Sequence, residues 1–377
     1  MADPTDTKRA ADAERHNNNL AAAAAEQMPR VRFTRPRLYA SIVFVVSVVA
    51  FLYFVLPKLL GLTDTWNRLQ QGNVWWLVVA FVLEALSFLS YVALFRAAFV
   101  DPDSRIRWRE SYQITMAGLA ATRLFAAAGA GGIALTAWAL RRSGMDARTV
   151  ARRMIAFMSL LYGVYMGSLV VDGLGLNFGI WPGPAPFAIT VIPAIFGASV
   201  IVLFLAISAV PGDFDRLVAR WTSGTGRVGV LARRLATVPT AVSGGIRTAI
   251  RLVRSRDPAL LGALGWWGFD IATLWACFHA FGASPPKAVI VMAYFVGWIA
   301  NTLPLPGGIG GVEGGMIGAF TAFGVSVETA VVAVLAYRAF SFWLPTFPGI
   351  VASLQLRRTV SRWRIAARFA SEIRGNR

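Results

Sequence analysis

Cysteine is almost missing. The 377 residues hold one, Cys277, so the chain has neither a disulfide framework nor a cysteine-based metal site. Histidine is nearly as scarce, with His16 in a polar stretch and His279 alone, and this leaves no metal-ligand spacing. Acidic residues number 19 against 37 basic ones, a net charge of +18. A pI of about 11.3 would suit a nucleic-acid partner. The basic residues, however, lie in connections and at the ends of the chain, as in the cytoplasmic loops of a membrane protein. No nucleic acid is therefore expected, and anionic inner-leaflet lipid headgroups are the expected counter-charge. The Gly-x-Gly pieces follow no strand and open no βαβ unit, and no ATP-binding motif occurs, so neither a nucleotide nor any other cofactor is expected.

What the chain has in quantity is apolar sequence. Hydrophobic residues make up 56% of it and mean hydropathy is +0.57. They fall in runs of about 20, the length of a bilayer-spanning helix. The polar residues 1–37, closed by Arg30, Arg32, Arg35 and Arg37, read as a disordered cytoplasmic tail. Spans are expected at 38–56, 74–95, 155–171, 187–210, 260–281 and 329–354. Both termini then lie in the cytoplasm, the last as a basic tail over 357–377. Residues 212–257 form a basic insertion whose Leu231, Leu235, Val238, Val242, Ile246, Ile250 and Val253 recur at three- and four-residue steps. The insertion reads as an amphipathic helix on the inner leaflet, bent at Pro239, or as a plain cytoplasmic linker.

Two further apolar stretches are broken in the middle. In the second, Asn301-Thr-Leu-Pro-Leu-Pro-Gly-Gly-Ile-Gly-Gly-Val-Glu313 interrupts the run over 287–324. Pro304 and Pro306 remove backbone donors, and Gly307, Gly308, Gly310 and Gly311 hold a helix poorly, so the chain must turn. Irregular backbone at membrane depth survives only where protein or a watery cavity covers it. Glu313 then opens the returning helix, where free amides and the helix dipole favour negative charge. The first break, 126–132, contains Gly129, Gly131 and Gly132 and divides 111–142 into arms of roughly 10 to 16 residues, about 15 to 24 Å, too short to cross. Both stretches read as re-entrant hairpins.

An offset of 179 residues lays Gly118, Ala121, Leu124, Gly129, Gly131 and Gly132 over identical residues at Gly297, Ala300, Leu303, Gly308, Gly310 and Gly311. Charge puts the ends of the first hairpin inside and those of the second outside. The expected fold is therefore an all-α polytopic membrane protein of two inverted-topology repeats (38–211 and 258–356), with about six full spans and two re-entrant hairpins.

Ionisable residues within the apolar segments are few: Glu84, Arg123, Asp270, Glu313 and Arg338. Each is costly at the bilayer centre without a partner or water. Glu84 and Asp270 fall near mid-depth of their spans and read as equivalents in the two halves. In a purely structural account, Glu313 caps its helix, Arg338 pairs with Glu313 or Asp270, and Glu84 pairs with Arg123. In the functional account, Arg123 and Arg338 receive an anionic headgroup or phosphate. Glu84, Asp270 and Glu313 then supply proton coupling or contacts to a hydroxylated or cationic headgroup, with Tyr337 and Asn301 beside them.

The run Pro306-Gly-Gly-Ile-Gly-Gly-Val-Glu313, followed after Gly324 by Tyr337-Arg338 in a proline-containing last span, resembles the lysylphosphatidylglycerol synthase transmembrane-region, or flippase-like, family. The layout matches over about 38–356, and the specific motif over about 297–349. The resemblance implies movement of lipids or lipid-linked intermediates between leaflets, with Glu313 and Arg338 as functional positions. One feature departs from it: the first break reads Phe125-Ala-Ala-Ala-Gly-Ala-Gly-Gly132 where a Pro/Arg-bearing counterpart is expected; with a basic tail and no aminoacyl-transferase domain expected after the last span, aminoacyl-lipid synthesis is not expected of this chain.

The leading expectation is a non-enzymatic translocator of an anionic or lipid-linked headgroup in the cytoplasmic membrane, its partners being membrane lipids and a membrane-bound synthase. The alternatives are a secondary transporter of a small soluble anion, a membrane glycosyltransferase and a scaffold. A glycosyltransferase wants carboxylates in aqueous outer loops, which offer little beyond Asp64 and Asp172.

Overall fold

A computed structural model describes residues 69–101, 104–124, 130–209, 242–302 and 310–375. Every regular element among them is helical. In chain order they are α1 (Val74–Phe99), α2 (Trp108–Leu124), α3 (Ala130–Arg142), α4 (Ala147–Asn177), α5 (Phe187–Ser208), α6 (Gly262–Ala280), α7 (Lys287–Ile299), α8 (Gly311–Ala322), α9 (Val327–Arg338) and α10 (Leu344–Gly375). A short 3₁₀ turn, Pro258–Leu261, leads into α6, and a π-helical turn, Ala339–Trp343, joins α9 to α10.

Five helical segments are long and apolar enough to cross a membrane: α1, α4, α5, Pro258–Ala280 and Val327–Trp363. They coincide with five of the six expected spans; the sixth, 38–56, lies outside the described residues. The chain is an all-α membrane protein. Its helices turn large apolar side chains outward, among them Phe81, Leu86 and Leu89 on α1 and Ile192, Ile195 and Val202 on α5. Contiguous exposed apolar surface of this kind needs lipid to cover it. The core proper lies between the helices, around the fully buried Tyr294, Tyr337, Phe278 and Phe320.

Local chemistry sets several boundaries. The Asn73 side chain accepts the Trp75 amide at 3.0 Å and starts α1. The Asp146 carboxylate accepts the amides of Arg148 and Thr149, each at 3.0 Å, and starts α4. A hydrogen bond from the Thr149 hydroxyl, together with those amides, holds its carboxyl below the usual carboxylate range. α4 begins earlier than the expected 155–171, so Arg148, Arg152 and Arg153 stand on its first turns and not in a connection. Arg153 reaches back to Asp101 at 2.7 Å and to the Phe99 carbonyl at 3.0 Å, fastening α4 to the end of α1. Asp172 likewise stands inside α4 and not in a loop.

Residues 242–254 are helical. Ser243, Gly245, Ile246 and Ala249 are buried, and Gly245 lies against Ile155 of α4. This end of the basic insertion therefore packs on protein; residues 212–241, with Pro239, lie outside the described residues.

α1 and α6 pack antiparallel along most of their length. Asn73 donates its amide to Ala280 at 2.8 Å, Thr273 faces the Ala80 carbonyl, Ser87 Oγ donates to the Trp266 carbonyl at 2.8 Å, and Gly262 abuts Ser90 and Leu94. Glu84 and Asp270 thereby come to one level. The 179-residue offset pairs Glu84 with Ala263 and Tyr91 with Asp270, so the expectation that the two acids are equivalents is corrected: antiparallel packing brings them together.

Each broken stretch forms a pair of packed arms, α2 with α3 and α7 with α8. The arms of the first pair meet at two glycines. A Cβ on Gly132 would stand 2.1 Å from Thr122 Oγ1 and 2.5 Å from the Gly118 carbonyl. In the second pair, a Cβ on Gly297 would stand 2.3 Å from Met316. Gly118 and Gly297, which the offset aligns, thus both lie where arms touch. The first break is narrower than expected. Gly131 and Gly132 sit in the first turn of α3, and Gly129 lies outside the described residues. At the second, Gly311 is the first residue of α8 and Gly310 precedes it with φ +87°, a conformation glycine alone adopts without strain. Pro304, Pro306, Gly307 and Gly308 lie outside the described residues.

Candidate functional site

Glu313 occupies the first turn of α8. Its Oε2 accepts the Gly310 amide at 2.7 Å, and its Oε1 accepts Arg338 Nε at 2.6 Å. Both side chains of this ion pair are almost fully buried. Helix capping and ion pairing, two roles that the sequence offered for Glu313, are both present. Arg338 ends α9, and its guanidinium lies 5.0 Å from the centre of the Phe342 ring.

Arg123, near the end of α2, approaches the same ring at 5.6 Å and the Phe88 ring at 5.8 Å. Its Nη2 donates to the Ser341 carbonyl at 2.8 Å. That carbonyl is open for a reason legible in the chain: its helical partner would be the amide of residue 345, and Pro345 has none. The π-helical turn widens the backbone at the same place, with the Leu344 amide bonding to the Ala339 carbonyl five residues back. The pairing of Glu84 with Arg123 expected on structural grounds is replaced by this carbonyl contact.

Glu84 and Asp270, both buried, stand instead at one level of the packed α1 and α6. Asp270 Oδ2 accepts two phenol hydroxyls, from Tyr294 of α7 and from Tyr337 of α9, the latter at 3.0 Å. Among the described residues no donor reaches Glu84 Oε2 or Asp270 Oδ1.

Glu84, Arg123, Asp270, Asn301 and Arg338 all line one cavity of about 410 Å³. Glu313 and Tyr337 stand behind it through their bonds to Arg338 and Asp270. All seven polar candidates therefore converge, from α1, α2, α6, a 3₁₀ turn after α7 (Ala300–Thr302), α8 and α9. The remaining wall is chiefly apolar and aromatic, including Phe157, Trp266 and Phe342. Three buried donor atoms on this wall have no acceptor among the described residues: Arg123 Nη1, Trp298 Nε1 and Ser341 Oγ. The first two can only donate, so the group that completes them has to bring acceptor oxygens. Ile133 and Tyr162, which also line the cavity, are 45% and 47% exposed, and Tyr162 lies midway along α4. Among the described residues the cavity wall thus reaches the surface at Ile133 of α3 and Tyr162 of α4.

Sequence reasoning missed Tyr294, Trp298, Ser341 and Phe342. Only Ser341 carried a signal, the proline four residues later.

Relatives named UPF0104 membrane protein, from Methanothermobacter thermautotrophicus, resemble the chain. One is 34% identical over 111 residues, which is 29% of this chain and 32% of the relative. The chain thus spans about a third of that relative's length. Another is 24% identical over 337 residues, 83% of this chain and 94% of the relative. A third match is 27% identical over 216 residues, 51% of this chain and 64% of the relative. The model of the lysylphosphatidylglycerol synthase TM region matches residues 39–349, most of the chain and every polar residue of the site, and the chain belongs to that family.

Proposed function

We propose that the chain translocates an anionic lipid or lipid-linked headgroup across the cytoplasmic membrane without chemical change, the tail remaining in the bilayer while the headgroup passes through the cavity. The observation that carries this reading is the cavity that reaches the surface between α3 and α4 and sets two guanidiniums beside Glu84, Asp270 and Asn301 on a chiefly apolar wall, together with three buried donors that call for acceptor oxygens. A phosphate diester supplies such oxygens, and Arg123 offers it both charge and a free nitrogen. The side opening between α3 and α4 favours a lipid over a small soluble anion, because a tail attached to the headgroup needs a slot facing the bilayer.

Two further features support alternating access around this site. Ser87 and Trp266 are one repeat offset apart and touch each other, as residues on the axis of a two-fold repeat must. Gly118 and Gly297 occupy corresponding inter-arm contacts. Inverted repeats with broken helices meeting at mid-depth are a common transporter architecture. The basic distribution supports cytoplasmic termini, on the side where a membrane-bound synthase would hand over its product.

The test is headgroup flip of a fluorescent anionic phospholipid in proteoliposomes. The double variant Glu313→Gln, Arg338→Ala is expected to slow flip about tenfold or more, the equivalent of about 1.4 kcal/mol or more in the barrier. Equal rates for wild type and variant would refute the reading. Uptake of inorganic phosphate with no lipid flip would replace it with a soluble-anion transporter.

A further inference from the structure

The Glu84–Asp270 pair has a property that headgroup binding alone does not use. Two buried acids at one level of packed helices, lining one cavity, repel each other when both are ionised, so the pair is expected to hold one proton. Asp270 Oδ2 accepts two phenol hydroxyls, which favours the ionised form of that carboxyl, although its Oδ1 has no donor among the described residues. Glu84, with no donor reaching its Oε2 among the described residues, is the member placed to carry the proton.

We infer that Glu84 and Asp270 form a proton-binding site that moves one proton together with each anionic headgroup, making the translocation proposed above an electroneutral symport. The inference rests on that reading and names its coupling ion.

The groups facing the pair are Asp270, Thr273 and Cys277 from α6, Arg123 from α2, Tyr294 from α7 and Tyr337 with Arg338 from α9. Phenols and thiols are ordinarily neutral at pH 7 and guanidiniums stay protonated, so the carboxyl pair is where a proton can come and go. With one proton the pair carries a single negative charge that faces Arg123, while Arg338 is matched by Glu313. An anion arriving at Arg123 adds a second negative charge beside the first in a poorly solvated space. A second proton on the pair cancels it. Both acids line the cavity, so the proton needs no separate route. Anion and proton binding are then linked, each favouring the other by the same factor. On release to the opposite side, the headgroup and the second proton leave together, and the pair returns to its single-proton state.

The experiment uses the full-length protein in phosphatidylcholine vesicles with a trace of fluorescent phosphatidylglycerol, first without and then with a pH difference, the membrane potential clamped to zero. Flip without a gradient tests the translocator reading. One-to-one symport predicts that, with a gradient, the label gathers in the leaflet facing the alkaline side by about tenfold per pH unit at equilibrium. The same shift, measured against its own gradient-free distribution, is expected to vanish in the double variant Glu84→Gln, Asp270→Asn, which leaves no carboxyl to take the second proton. A wild-type distribution indifferent to pH, or a distribution in the double variant that still follows it, overturns the inference while leaving translocation standing. Should no labelled lipid flip at all, infrared spectroscopy of the purified protein decides. A protonated-carboxyl band that shifts in D₂O and is lost in Glu84→Gln supports the site, and its absence in wild type refutes it.

Discussion

Arg338 Nε meets Glu313 Oε1 at 2.6 Å, with 6% and 4% of the two side chains exposed. The bond spans from the last residue of α9 to the first turn of α8, so it closes the second hairpin onto the last membrane-crossing segment. Removing one partner strands a charge in a dry place, which typically costs about 3–5 kcal/mol, whereas replacing both by apolar residues of similar volume is often nearly neutral. Glu313→Gln and Arg338→Met are each expected to lower the melting temperature of the detergent-solubilised protein clearly. The double variant Glu313→Leu, Arg338→Met should recover most of that loss without recovering flip. Single variants that melt with wild type would show that the pair does not hold the fold.

The arms of the first hairpin give a sharper stability test. Gly132→Ala places a methyl 2.5 Å from the Gly118 carbonyl, a backbone atom that cannot swing aside. Overpacking of this kind costs about 1–3 kcal/mol. Nothing lies within 4 Å of a Cβ on Gly163, also helical, so Gly163→Ala should be neutral or stabilising by about 0.5–1 kcal/mol. Thermal melts of the two variants are expected to move in opposite directions; a Gly132→Ala protein as stable as wild type would mean the arms do not touch there.

How much of this could be read from the chain depends on the range of the interaction. Spans were legible because twenty apolar residues in a row answer to bilayer thickness alone, and five of them stand where hydropathy put them. The site charges were legible because Glu84, Arg123, Asp270, Glu313 and Arg338 are expensive wherever they fall in an apolar segment, whatever their partners. Partner choice was not legible. Glu84 meets Asp270 and not Arg123 because of the register in which α1 and α6 pack, and no local pattern encodes that register. Tyr294 and Phe342 look like any core aromatic until the hydroxyl of one is found on Asp270 and the ring of the other between two guanidiniums.

Pro345 is predicted to matter through an absence. Restoring an amide with Pro345→Ala gives the Ser341 carbonyl a helical donor, which competes with Arg123 Nη2 for the same oxygen. A backbone hydrogen bond gained is worth about 0.5–1.5 kcal/mol net, so the variant should be at least as stable as wild type. Arg123, released from its anchor, should hold the headgroup less well, and flip should fall severalfold. A variant that is both stable and fully active would remove the carbonyl contact from the account of the site.

The cavity itself makes the remaining claim, that water and lipid headgroups reach the middle of the protein, and the scarcity of cysteine makes it measurable. The single Cys277 is fully buried on α6 and should resist charged thiol reagents in the native protein, so Cys277→Ala provides a silent background. Thr136→Cys, on the cavity wall of α3, should react with a charged methanethiosulfonate faster than Leu274→Cys, which is fully buried, by about a hundredfold or more. That ratio corresponds to the roughly 3 kcal/mol of local opening that only the buried site requires. Ile133→Cys, at the side opening, should carry a spin label that senses oxygen dissolved in lipid more strongly than a water-soluble nickel chelate. Adding an anionic phospholipid should slow the reaction at Thr136→Cys if its headgroup enters beside Arg123. If Thr136→Cys proves as inert as Leu274→Cys, the polar side chains meet in a sealed core, and their convergence serves the fold alone.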